Sequence, residues 1–133
     1  MKTPPPWTVE YYQDGSGRNP VLEFLEHAAP GDFAASLRLI DLLKEFGTGL
    51  GPPYCKHVEG DLWELRPRSI RLFYFAGAGR RFVIVHAYHK KRQKAPRREI
   101  RVAMARMKEL RGQSNESANR KRRHRQGQGA AGS

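Results

Sequence analysis

Two hydrophobic periodicities alternate along this chain, and their order predicts its elements. Residues 7–13, W-T-V-E-Y-Y-Q, are aromatic and β-branched in a broken alternation, which predicts a first strand. Asp14 to Arg18, D-G-S-G-R, reads as a turn. Asn19-Pro20 then has the form of an N-cap followed by proline at the first helical position. Val21, Phe24, Leu25 and Ala28 recur at helical spacing and predict a helix over about 20–29, broken by Pro30-Gly31. Asp32 is placed to cap a second helix. Its stripe runs through Phe33, Leu37, Ile40 and Leu43, widened by Leu39, Leu42 and Phe46, with Gly47 as C-cap. The stretch 47–54, G-T-G-L-G-P-P-Y, has no period and reads as a loop.

From there the period falls to two. In D-L-W-E-L-R, Trp63 and Leu65 share one face, while Leu62, Glu64 and Arg66 share the other. Residues 67–69 turn the chain into a second strand, 70–75, where Arg71 lies on the face opposite Ile70, Leu72 and Tyr74. Gly77-Ala78-Gly79 turns it again into 82–88, whose nearly unbroken apolar run predicts a central strand covered on both faces. Short turns imply an antiparallel meander. A last helix begins at Pro96, with Ile100, Ala103, Met107 and Leu110 as its stripe. The expected architecture is α+β, a small antiparallel sheet in the order β-α-α-β-β-β-α with the two N-terminal helices on one face. It forms one domain over 1–110, followed by a tail over 111–133. That tail lacks aromatic residues and Leu, Ile or Val, carries R-K-R-R-H-R at 120–125, and reads as disordered and basic.

Charge changes the picture from fold to partner. The chain has 133 residues and a formal charge of +12, unevenly spread: −3 over 1–55, +10 over 56–110 and +5 over 111–133. Localised charge of this size points to a polyanion, with nucleic acid the default. One cysteine, Cys55, cannot form an internal disulfide, which favours a reducing cytoplasm. No apolar run is long enough to span a membrane, and Met1 to Trp7 is proline-rich without a signal-peptide centre. No metal-ligand spacing, glycine-rich phosphate loop or nucleophile motif is present.

The sequence L-W-E-L-R, then R-L-F-Y-F, then H-K-K-R-Q-K-A-P ahead of an amphipathic helix resembles the RelE/HigB toxin superfamily, most of all its phage-derived HigB-like branch. That branch shows a W-E-L-R strand, an R-[IL]-[FL]-Y strand and a K-K-x-x-K-x-P segment. The resemblance spans about residues 7–110. It implies the toxin of a type II toxin–antitoxin system that cleaves mRNA on the translating ribosome, without metal or cofactor, and is held inactive by a helix-turn-helix antitoxin.

Metal-free RNA cleavage by 2′-hydroxyl attack on the adjacent phosphate needs a base, an acid and cations for the phosphorane. By resemblance, Arg71 matches the family's strand arginine that stabilises the transition state, and Lys91 matches a catalytic basic position. Arg66 offers a second guanidinium fork for phosphate oxygens. A cross-strand ion pair with Glu64 is the structural alternative for Arg71. His89, at the start of the basic loop, is the natural acid or base. His86, inside an apolar strand, reads as a satisfied core histidine, and His57 as a loop residue. Lys56, Lys90, Lys94, Arg97 and Arg98 are candidate RNA contacts; the alternative for Lys90, Lys91 and Lys94 is a solvated charge, and for Arg97 and Arg98 simple sequence drift on an exposed turn. Tyr88 either stacks on a base or completes the core. The RelE branch places catalytic lysines where this chain has Leu62 and Glu64, and its helical tyrosine has no match in P-R-R-E-I-R-V. Glu64 is therefore either a base itself or an orienter of Arg66 or Arg71. Two other readings use the same residues: a non-enzymatic RNA- or DNA-binding protein, and an inactive relative that binds only an antitoxin.

Overall fold

A computed structural model describes residue 3 and residues 5–113. The basic run at 120–125 lies outside the described residues. The elements are β1 (Thr8–Tyr11), α1 (Pro20–Glu26), α2 (Pro30–Phe46), β2 (Cys55–Glu59), β3 (Leu62–Leu65), β4 (Ile70–Gly77) and β5 (Arg81–His89). A third helix, α3, covers 97–113.

The fold is α+β, as expected, but the sheet is larger and mixed. It has five strands in the order β1-β5-β4-β3-β2. The pairs β2–β3, β3–β4 and β4–β5 form the antiparallel meander. β1 joins β5 in parallel, because the α1–α2 excursion returns the chain to the far edge of the sheet. β2 is the strand the sequence pattern conceals. Its residues Lys56, His57 and Glu59 are polar because β2 is an edge; Cys55, at 2% exposure, is buried in the core and Val58 packs partly buried against the α3-side core. His57 accordingly belongs to a strand rather than a loop. Its Nε2 lies 2.6 Å from the Gly60 carbonyl and its ring meets Trp63 edge-on.

Each face of the sheet carries its own core. α1 and α2 press Val21, Leu25, Leu39, Ile40 and Leu43 onto Leu65, Ile70, Leu72, Tyr74 and Ile84. α3 presses Ile100, Ala103 and Met107 onto Leu62, Phe73, Phe75, Val83 and Val85. Each fully buried leucine or isoleucine contributes roughly 1.5–3 kcal/mol. β5 lies between two strands and under both layers, the central position its apolar run predicts.

The caps agree with the sequence at α1, where the Asn19 side chain accepts from the Leu22 N–H at 3.1 Å. They differ at α2. Pro30 opens that helix at its first turn instead of ending α1 at 29, and Asp32 sits inside the turn. The buried arc of α2 is Ser36, Leu39, Ile40 and Leu43, an i, i+3, i+4, i+7 set. Phe33 and Leu37 fall at its border and remain 38% and 42% exposed. Gly47 ends α2 at φ +56°, where a Cβ would clash with the Trp7 indole. Trp7 in turn stacks on Phe82 with centroids 4.7 Å apart.

Candidate nucleic-acid interface

β5 is longer than its outer neighbour, and a cleft opens where that neighbour stops. β1 pairs only with Arg81–Ile84, and the Tyr12 N–H closes the ladder on the Ile84 carbonyl at 2.8 Å. The next carbonyl, that of Val85, receives Arg106 Nη1 from α3 at 2.9 Å. A bulge at Val85 shifts the β4–β5 register between Phe73↔His86 and Tyr74↔Ile84. It turns both Val85 and His86 toward α3. Beyond the bulge the faces alternate again: Tyr88 packs with the α3-side core, while His89 lies against Phe24 of α1, with ring centroids 4.8 Å apart.

The last residues of β5, the loop after it and the first turn of α3 enclose a cleft of about 760 Å³. Its cations are Lys91, Arg92, Lys94, Arg97 and Arg98. Phe24, Ala87, Tyr88, Ala95 and Pro96 give it an apolar lining. His86, His89 and Glu99 complete the wall, and Glu99 is the one carboxylate among the described lining residues. Arg97 is also tied to β2, donating to Glu59 at 2.9 Å. The clustering of cations follows from topology. The loop leaves the sheet at a strand end, and α3 must begin beside it to cover the second core. Arg97 and Arg98 add positive charge at the positive end of the helix macrodipole, which opposes the helix but favours a bound anion.

The structure thus brings His89, Lys91, Lys94, Arg97, Arg98 and Tyr88 to one cleft. It places Glu64, Arg66 and Arg71 elsewhere, in a second polar cluster on the α3 face behind Tyr88. Arg71 is the cross-strand partner of Tyr88 and is only 6% exposed. Its Nη1 donates to the carbonyls of Arg68 at 2.9 Å and Ile70 at 2.8 Å. Burial lowers its pKa, while Glu64 opposes the shift. Among the described residues the cation paired with Glu64 is Arg66, with Nε at 3.9 Å, and the cross-strand Arg71–Glu64 ion pair is not formed at contact distance. Burial, and then the charge of Glu64, raises the Tyr88 phenol above its ordinary value, so Tyr88 stays neutral. Lys56 pairs in register with Glu64 on the edge strand, and the Lys90 N–H caps the Ser69 carbonyl at 2.7 Å. Neither lines the cleft.

His86 is a satisfied histidine, but one in the cleft wall. Its Nε2 lies 3.1 Å from Glu99 Oε2, and Arg106 Nη1 lies 3.4 Å from its Nδ1. A guanidinium only donates, so Nδ1 accepts and the neutral ring carries its proton on Nε2, given to Glu99. Burial lowers the His86 pKa, outweighing the raising effect of Glu99. Sequence reading passed over Glu99 and Arg106, because partners thirteen and twenty residues away carry no local signal. Among the described residues no three His, Cys, Asp or Glu side chains converge as a metal site would require. No described helix is long and apolar enough to cross a membrane.

No curated protein matches the chain. A family model does, over residues 23–108, which run from α1 through both polar clusters and most of α3. Its description is phage derived protein Gp49-like (DUF891). The matched span holds each element that builds the cleft, and the chain belongs to this Gp49-like family, a phage-derived family of the RelE/HigB toxin type.

Proposed function

We propose that this protein is the toxin of a type II toxin–antitoxin system and an endoribonuclease that cleaves mRNA on the translating ribosome in the cytoplasm, held in check by a helix-turn-helix antitoxin. The observation that carries the reading is the cleft at the end of β5, where five cations and two histidines surround an apolar floor large enough for a nucleotide. A solvated basic surface has no reason to gather its charge around a concavity with an aromatic wall.

The chemistry is transesterification. The 2′-oxygen of a ribose loses its proton and attacks the adjacent phosphorus. The bond from phosphorus to the 5′-oxygen breaks, and an acid protonates that oxygen. The products are a 2′,3′-cyclic phosphate and a 5′-hydroxyl end. Lys91 and Lys94 hold the phosphate, with Arg97 and Arg98 beside them at the helix start, and their charge stabilises the phosphorane. His89 is exposed at the cleft mouth and serves as the acid for the leaving oxygen. Tyr88 forms the stacking wall. Arg71, held by the Arg68 and Ile70 carbonyls, supplies a fixed positive charge one strand behind Tyr88, and Glu64 pairs with Arg66 beside it. Lys56 and Lys90 lie outside the cleft and contact the RNA backbone or the ribosome.

The test is a map of 5′ ends on a translated reporter mRNA after brief induction, comparing wild type with His89→Ala and Arg71→Ala. The expected result is new ends inside the reading frame that require translation. They fall by about 10²-fold or more in His89→Ala, the usual scale for losing a general acid, and are also reduced in Arg71→Ala. Background-level ends from all three proteins would sink the nuclease reading and leave the cleft as a non-enzymatic RNA-binding surface.

A further inference from the structure

Glu99 is out of place in this cleft. Every other charged side chain of the lining is a cation, and a carboxylate there works against RNA affinity by repelling phosphate. Yet Glu99 is held firmly. His86 Nε2 reaches its Oε2 at 3.1 Å, and the ring of His86 is fixed in turn by Arg106 at 3.4 Å, whose Nη1 also closes the Val85 carbonyl. Among the described residues, Oε1 has only the Arg98 Nε at 4.0 Å, beyond hydrogen-bond distance, and the side chain keeps 18% of its exposure. One oxygen is therefore anchored and the other is free at the cleft wall. Glu64, the carboxylate that the sequence offered for proton abstraction, is 7% exposed, paired with Arg66 and absent from the cleft.

We infer that Glu99 is the general base of the cleft, taking the 2′-hydroxyl proton on its free oxygen, with His86 as the positioning residue that holds the carboxylate and Arg106 fixing His86. This rests on the RNA-cleavage reading above. The division of labour is chemically complete: the proton from the 2′-oxygen goes to Glu99, the phosphorane charge is met by the lysines and arginines, and His89 returns a proton to the 5′-oxygen. A carboxylate suits the role here because the phosphate-binding cations lie around it. They stabilise the developing 2′-oxyanion as the proton leaves. The competing account is that Glu99 is only a first-turn carboxylate favouring the α3 macrodipole and bracing the helix against His86.

Glu99→Gln separates the two accounts. The glutamine carbonyl still accepts from His86 Nε2–H, so the contact and the helix survive while the basicity is lost. Cleavage of a programmed ribosome complex is measured for both proteins at saturating and sub-saturating concentrations, alongside thermal melting. The inference expects the saturated rate to fall by about 10²–10⁴-fold, with the half-saturating concentration unchanged or lowered and the melting temperature unchanged. Glu99→Asp, which retains a carboxylate, is expected to cleave faster than Glu99→Gln. Unchanged cleavage in Glu99→Gln would overturn the assignment. So would a rate loss matched by weaker binding or a lower melting temperature, or equal losses in the Gln and Asp variants. Each of these leaves the nuclease reading standing, since the wild type cleaves. A wild type that cuts no translated message overturns that reading, and the base assignment falls with it.

Discussion

At the scale of single residues, environment outweighs identity. The chain has two histidines three positions apart on β5, and the bulge at Val85 sends them to different surroundings. His89 is exposed beside Phe24, while His86 sits among Glu99, Arg106, Tyr88 and Phe73. Burial depresses the His86 pKa below the ordinary histidine value of about 6.5. Protons therefore bind the unfolded chain more tightly than the folded one at this site. The associated stability is fully present above about pH 6.5 and is lost as pH falls through the depressed folded value. Melting temperature is expected to drop across this acid range in the wild type and to drop less in His86→Asn; equal slopes would remove His86 as the source. Arg71 teaches the complementary lesson. Its strand position was legible, because its face follows from alternation with Ile70 and Leu72. Its burial and its two carbonyl acceptors were not, because both depend on how the turn at 67–69 folds over it. Arg71→Ala strands the carbonyls of Arg68 and Ile70. The expected cost is about 1–3 kcal/mol of stability, read by denaturant titration. A stability change near zero would mean that water replaces the guanidinium at no cost.

At the scale of elements, strong periodicity was readable and weak periodicity was not. α1, β3, β4, β5 and the start of α3 stand close to where their patterns place them. β2 escaped because a polar edge strand has no apolar alternation to detect. α2 kept its length but settled on Ser36, Leu39, Ile40 and Leu43. With so many apolar side chains around the helix, the sheet chose which arc to bury. The end of α2 is held by a close approach rather than by propensity alone. Gly47 has φ +56° and ψ −132°, and the Trp7 indole occupies the space a side chain would need. Gly47→Ala combines backbone strain with overpacking and is expected to cost about 2–4 kcal/mol. Chemical denaturation is the check; a loss under 1 kcal/mol would mean that Trp7 moves aside freely.

At the scale of the whole molecule, the fold concentrates charge that the sequence only distributes. The span 56–110 carries a net +10, but its cations do not act together. Lys56 is on the β2 edge, Arg71 is buried, and Arg106 is spent on Val85 and His86. Lys91, Lys94, Arg97 and Arg98 converge at one cleft. If RNA occupies it, binding weakens with salt in proportion to the phosphates engaged, at roughly −0.7 in log K per log salt for each contact on a single strand. Replacing Lys91 and Lys94 together by alanine is expected to reduce that slope by about 1.4, measured with a short single-stranded RNA across a salt series. An unchanged slope would place the RNA elsewhere on the surface.

What the sequence by itself determined is local. The helices, the meander, the alternation that places Arg71 opposite Leu72, and the basic character of the segment after β5 all follow from side-chain spacing within a few residues. What only the tertiary structure decided is convergence. The parallel docking of β1 leaves the end of β5 open, the bulge at Val85 re-aims His86, and α3 crosses the second face so that Glu99 and Arg106 meet that histidine. Those contacts join residues far apart in the chain, and their geometry is set by how the layers pack against the sheet. A one-dimensional pattern carries the period of each element but not the distance between two of them, so the cleft exists only in the folded molecule.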